Sequence, residues 1–210
     1  MKSSSNIGAK RRSVILSAAL KTFAENGYRG ASIQKIANKA GLPKANILYY
    51  FPNKKLLYSA VMQSILSMWN SKFDNVTKED CPATSLATYI ADKMEISRLH
   101  PYSSKTFAIE IINGANNLDD SFKKEHIAWV EGRKNVIRGW ISDGKMDCVN
   151  PEFLLYHIWS CTQHYADFSS QIKNLRGDYL SKDEFKEATA TVINIILKGC
   201  GLKVPADFKL

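Results

Sequence analysis

Apolar positions along this chain recur at three- and four-residue steps and almost nowhere in strict alternation, which predicts helices separated by short polar breaks. Val14, Ile15, Ala18, Ala19 and Phe23 line one face of a first helix from about Lys10 to Glu25, and Asn26-Gly27 ends it. Ser32 has the chemistry to cap a second helix, Ile33 to Ala40. Gly41 breaks the pattern, and Pro43 leads into a short third helix, Lys44 to Tyr50. Pro52 interrupts again. Asn53 then caps a long fourth helix, Lys54 to about Val76, with an inner stripe of Leu57, Val61, Ile65, Met68 or Trp69, and Phe73. Further helices are expected over 84–99, 102–113, 119–143, 151–174 and 182–198. Thr84, Asp119 and Asn150 are their candidate caps, and Pro151 suits a first helical position. Phe185, Ala188, Val192, Ile195 and Gly199 mark the inner stripe of the last one. The pattern predicts an all-α chain of about nine helices.

Two short helices meeting at Gly41 form the segment with the most specific chemistry, Ser32 to Phe51. Ile33, Ile36, Ala37, Leu42, Ile47 and Leu48 are spaced to pack the pair together. The outward positions are Gln34, Lys44, Ala45, Asn46, Tyr49 and Tyr50. Asn and Gln side chains can pair bidentately with adenine, and Lys can reach guanine or a phosphate.

Charge agrees with that reading once it is located. The 210 residues carry a formal net charge of +9. Residues 1–60 hold eleven Lys/Arg and only Glu25 against them, or +10, so the rest of the chain is near neutral at −1. A basic head on a neutral body is the footprint of a part that meets a polyanion. An apolar fraction of 45% supports an ordinary core, and no apolar run is long enough to span a membrane. Met1 to Ala9 lacks the apolar stretch of a secretory signal. Cys81, Cys148, Cys161 and Cys200 form no C-x-x-C pair, which reads as reduced thiols in a cytoplasmic protein.

Val14 to Val61 resembles the DNA-binding domain of the tetracycline-repressor (TetR) family. The matching positions are Ala18-Ala19, Phe23, Gly27-Tyr28, Ser32, Ile36-Ala37, Ala40-Gly41, Leu48-Tyr49-Tyr50-Phe51, Asn53-Lys54 and Leu57. The resemblance implies that the third helix enters the major groove. It also implies phosphate contacts from Tyr49, Lys54 and Ser32, the last at a helix N-terminus. It further implies a DNA-binding domain over 1–55 and an effector-binding and dimerisation domain over 56–210. A two-fold homodimer would then read a palindromic duplex operator. The strings Leu48–Lys54, Phe107–Ala115 and Ile158–Phe168 are similar to the pyrimidine-utilisation branch of that family. That branch implies a small-molecule effector such as uracil or thymine, which relieves operator binding, as in a repressor.

The C-terminal part offers residues for such a ligand. Trp159 and Gln163 share one side of their helix and combine a flat apolar wall with an amide that donates and accepts. Trp69, Lys93, Phe107 and Glu110 are candidates to complete the site. The plain alternative makes the aromatic residues core and the two charges solvated. His157, Cys161 and His164 share another side of the Trp159 helix, where a metal site of a metal-responsive sensor competes with simple filling of a dimer interface. No glycine-rich phosphate loop, G-x-S-x-G or H-E-x-x-H is present, so no enzyme and no cofactor is expected. Asp119-Asp120 and Asp183-Glu184 fit helix N-termini better than acid–base chemistry.

Overall fold

The computed structural model describes residues 2–208, with side chains from Ile7 onward. Among the described residues there are ten α-helices and no strand: α1 (Lys2–Gly30), α2 (Ile33–Ala40), α3 (Lys44–Tyr50), α4 (Lys54–Asn70), α5 (Pro82–Leu99), α6 (Pro101–Ile112), α7 (Asp120–Ser142), α8 (Pro151–Asp167), α9 (Ser169–Arg176) and α10 (Lys182–Gly199). A 3₁₀ turn, Ala206–Phe208, follows. None of these helices is long and apolar enough to cross a membrane.

By packing, the chain forms two compact units. The first takes residues 1–66 together with 105–124, so it reaches past the expected divide at 55 into α4 and also takes most of α6. The second takes 67–104 and 125–210. In the first unit, Ile15, Ala19, Ile36, Ala37, Ile47, Leu57 and Val61 are fully buried and tie α1 to α4 into one small core. Burying each of the larger side chains, the isoleucines, Leu57 and Val61, contributes about 1.5–3 kcal/mol. In the second unit α5 packs on both α8 and α10. Phe73, Tyr89, Ile90, Trp140, Leu155, Ile158, Ile193 and Leu197 are the centre of its core.

Local signals set most helix ends. The Ser32 hydroxyl accepts from the Lys35 N–H at 3.2 Å and opens α2. Asn53 accepts from the Leu56 N–H at 2.9 Å, and Asp119 from the Phe122 N–H at 2.8 Å. Asn150 accepts from the N–H groups of Glu152 and Phe153, with Pro151 in the first turn of α8. Ser181 and Glu184 close a reciprocal capping box at α10.

Several expectations need correction. α1 begins well before Lys10; Gly27 does break its helical geometry, at φ 66°, but a further turn follows to Gly30. Val14 is exposed rather than inward. Leu48 is also on the outside, at 37% exposure, because Ile47 and Phe51 suffice to seat α3. α4 stops at Asn70, and Phe73 reaches the core from a turn. Trp69, not Met68, continues its buried stripe. α5 starts at Pro82 after Cys81, so Thr84 lies inside it. The single helix expected over 151–174 is two, because the chain leaves helical geometry at Phe168. On α10 the buried face is Val192, Ile193, Ile196 and Leu197, which turns Ile195 out to 63% exposure.

Candidate nucleic-acid interface and effector site

The first unit presents a helix-turn-helix. Ile36 and Ala37 on α2 and Ile47 on α3 are fully buried and lock the two helices together. Gly41 adopts φ 64°, ψ 32°, a left-handed conformation that glycine enters without steric cost. Its N–H donates to the Asn38 carbonyl at 3.2 Å, and the Leu42 N–H donates to Ala37 O at 3.1 Å, which closes α2. Pro43 then starts α3 in a new direction. This tight turn leaves one face of the hairpin without a packing role. Ser32, Gln34, Lys44, Ala45 and Tyr49 are exposed there, Tyr49 by 84%, while Asn46 and Tyr50 are half-buried. The Tyr49 and Tyr50 rings meet edge to face at 5.2 Å, which restricts both hydroxyls. The Gln34 amide donates to Asn38 Oδ1 at 2.9 Å, leaving its carbonyl free of that bond.

The basic charge of this unit divides in two. One group is spent internally on the C-terminal end of α1, where carbonyls point outward and favour cations. Lys35 Nζ donates to Asn26 Oδ1 at 2.8 Å and to Gly30 O at 3.1 Å. Lys39 pairs with Glu25 at 2.5 Å. Lys54 Nζ donates to Tyr28 O at 2.9 Å and Ala31 O at 3.1 Å, and lies 4.5 Å from the Tyr28 ring centroid. The family-implied phosphate contact of Lys54 therefore competes with a clamp that joins α1 to α4. The other group, which includes Lys10, Arg11, Lys44 and Lys55, is exposed. Arg12 places its guanidinium 5.2 Å from the Phe51 ring centroid, beside the end of α3. Composition flagged these bases; only the fold separates the clamps from the outward charges.

Glu110 and Phe107, expected at an effector site, are both buried in the first unit. Glu110 accepts from the Tyr58 hydroxyl at 3.0 Å, from the Asn117 N–H at 2.8 Å and from the Asn117 amide at 3.0 Å. It is a satisfied structural carboxylate, not a solvated one. The burial of Tyr58, and after it the neighbouring Glu110, push the Tyr58 hydroxyl to a higher pKa, so that proton stays in place.

The other four candidates lie in the second unit. Trp69, on the last turn of α4, and Lys93, on α5, are both buried, Lys93 to 2% exposure. The Lys93 ammonium sits 4.6 Å from the Trp69 ring centroid and 5.8 Å from that of Tyr89. Burial pulls its pKa from 10.5 down to about 7, against the opposing pull of Asp167 and Asp92. Tyr89 connects this pair to α8, for its hydroxyl accepts from the Trp159 indole N–H at 2.9 Å. Trp159 and Gln163 are half-buried on the same side of α8. Ser97 donates to Thr162 O at 2.9 Å, and Ser104 donates to Asp167 Oδ1 at 2.5 Å. Ser104 and Asp167 escaped the sequence reading because nothing local ties them to Lys93, and Tyr89, one turn before Lys93 on α5, was not singled out. An open groove of this unit lies elsewhere, between α5 and α10. Its volume is about 530 Å³, and Met94, Phe185, Ile193 and Phe208 line it.

His157 and His164 are exposed and Cys161 is half-buried. His157 Nδ1 lies 2.8 Å from Phe153 O, and His164 stacks on Phe168 at 5.0 Å. Among the described residues no three His, Cys, Asp or Glu side chains gather as a metal site. Phe153 and Tyr156 on α8 and Phe168 just after it join Ile195 on α10 as exposed large apolar residues.

Comparison with known proteins agrees with both units. The family profile described as "Bacterial regulatory proteins, tetR family" matches residues 15–61, and that described as "YcdC-like protein, C-terminal region" matches residues 62–203. The HTH-type transcriptional regulator RutR of Escherichia coli (strain K12) is 38% identical over 200 residues, which cover 94% of this chain and 93% of that protein. A TetR family transcriptional regulator from Pseudomonas syringae pv. tomato shares the fold with a TM-score of 0.60 at 18% identity, over 89% of this chain and 95% of that one. So does AibR, solved with isovaleryl coenzyme A and operator DNA, with a TM-score of 0.63 at 18% identity, over 88% of this chain and 97% of that one. The chain therefore belongs to the TetR family, as a helix-turn-helix DNA-binding transcriptional regulator and not an enzyme.

Proposed function

We propose that this protein is a ligand-responsive repressor, a homodimer that binds a palindromic operator and is released from it by a pyrimidine such as uracil or thymine. The outward face of the α2–α3 hairpin carries the DNA half of the reading. α3 enters the major groove, with Lys44, Ala45 and Asn46 toward base edges. Ala45 offers only a methyl group, suited to a thymine methyl. Ser32, Gln34, Tyr49 and Tyr50 hold the flanking backbone. Lys54 serves the same interface by clamping α1 to α4 beside it. The exposed apolar residues Phe153, Tyr156, Phe168 and Ile195 supply the interface between protomers.

The effector half rests on the buried Lys93 ammonium beside the Trp69 ring. A planar ring with carbonyl oxygens satisfies both neighbours: it stacks on an indole and accepts from a lysine or an amide. Trp69, Lys93, Trp159 and Gln163 are the proposed contacts. The 38% identity to RutR supports the choice of a pyrimidine. Calorimetric titration of uracil into the wild type and into Gln163→Ala tests it. The substitution removes one neutral amide contact and weakens binding by about tenfold. Equal affinity for both proteins removes Gln163 from the site.

A further inference from the structure

A lysine buried against two aromatic faces is an unusual state, and Lys93 is in it. Its Nζ carries up to three N–H donors. Its closest ring contacts are the faces of Trp69 and Tyr89, at 4.6 and 5.8 Å. A π face offsets part of the lost hydration of an ammonium, but not all of it. The charged neighbours are few on every helix around it. α8 brings Asp167, one of whose oxygens is already engaged by Ser104 of α6 at 2.5 Å. α5 itself brings Asp92, whose own pKa is raised by burial and drawn back by Lys72 and Lys93. α4 brings the neutral Trp69, and α10, the other helix packed on α5, adds no charge that acts on Lys93.

We infer that effector binding is coupled to proton uptake at Lys93: the empty site holds a large share of this side chain as the neutral amine, and the ligand recharges it by placing a carbonyl oxygen against Nζ. This rests on the pyrimidine reading above. The balance is simple. A proton from solvent joins the Lys93 amine, no bond of the ligand breaks, and the new ammonium donates to the ligand oxygen. The geometry supplies the reason: the buried Nζ faces two aromatic rings, and a ligand carbonyl placed against it accepts the hydrogen bond that a ring face does not. With its pKa drawn to about 7, the amine and ammonium are present in comparable amounts at neutral pH. Binding pulls the group to the charged side. The sign follows: affinity is greatest below neutrality and falls as pH rises.

The test is isothermal titration calorimetry of the full chain with uracil at pH 6, 7 and 8, in phosphate and in Tris, whose ionisation heats differ. The expected result is uptake of about half a proton per site at pH 7 and a Kd about tenfold weaker at pH 8 than at pH 6. Lys93→Met keeps the length of the side chain and abolishes both effects. Asp167→Asn supplies a second variant: it removes a charge that favours the ammonium, so the fall in affinity moves to lower pH. Uracil binding with no proton exchange, or with proton release, overturns the inference and leaves the pyrimidine reading standing. No uracil binding at pH 6 removes the pyrimidine reading and this inference with it.

Discussion

Lys44 and Lys54 flank the same short helix and carry the same charge, yet the fold gives them different work. Lys44 is exposed at the start of α3 with nothing to hold it. Lys54 is half-buried and divides its protons between the carbonyls of Tyr28 and Ala31. The two substitutions should therefore separate. Lys44→Ala should weaken operator binding and lower the slope of log K against log salt by about one per protomer. Lys54→Ala should leave that slope unchanged and lower stability by about 1–3 kcal/mol, since hydrogen bonds from a charged group are lost. Fluorescence anisotropy over a salt series and urea unfolding read the two quantities. A slope that falls equally for both would return Lys54 to the phosphate contacts. The same scale explains Glu110 and Lys93. Each looks like a surface charge in its own sequence window. Each is buried because a partner distant in sequence, Tyr58 for Glu110 and Trp69 for Lys93, packs against it.

Among the elements, the α2–α3 hairpin depends on one backbone conformation. Gly41 sits at φ 64°, and a Cβ placed there meets nothing within 4 Å. Any cost of Gly41→Ala is thus conformational, about 1–2 kcal/mol, and not a clash. Gly41→Asn should recover part of it, because Asn tolerates the left-handed region. Urea midpoints in the order glycine, asparagine, alanine are expected; an unchanged midpoint for alanine would show that the turn tolerates another geometry. This hairpin was also the most legible part of the sequence. Ser32, Gly41 and Pro43 are local signals, and the bounds of α2 and α3 coincide with those expected from them. Legibility failed where tertiary packing decides. No glycine or proline marks Phe168, so the division of α8 from α9 was invisible. The α10 stripe was read through Ile195 when the core takes Ile196, because both fit a helical period and only α5 and α8 choose between them. The outward residues of the hairpin were readable as a set because they lie close together in sequence. The four candidates of the second unit come from three helices, and the contact of Lys93 with Trp69 and the link of Trp159 to Tyr89 needed the fold.

For the molecule as a whole, nearly all excess charge lies in the first sixty residues, while the second unit is close to neutral and carries the buried ammonium of Lys93. The first feature suits a duplex and the second a small ligand. A regulator needs the two to be linked through different affinities of the ligand for the DNA-bound and free states. The most direct measurement of that claim uses a fluorescent duplex carrying the intergenic region upstream of this protein's own gene. Protein is titrated onto it at fixed salt, anisotropy is followed, and uracil is then added. Saturable binding far tighter than to an unrelated duplex is expected, followed by release at micromolar uracil. Binding of equal strength to any duplex, or a complex indifferent to uracil and thymine, would contradict it.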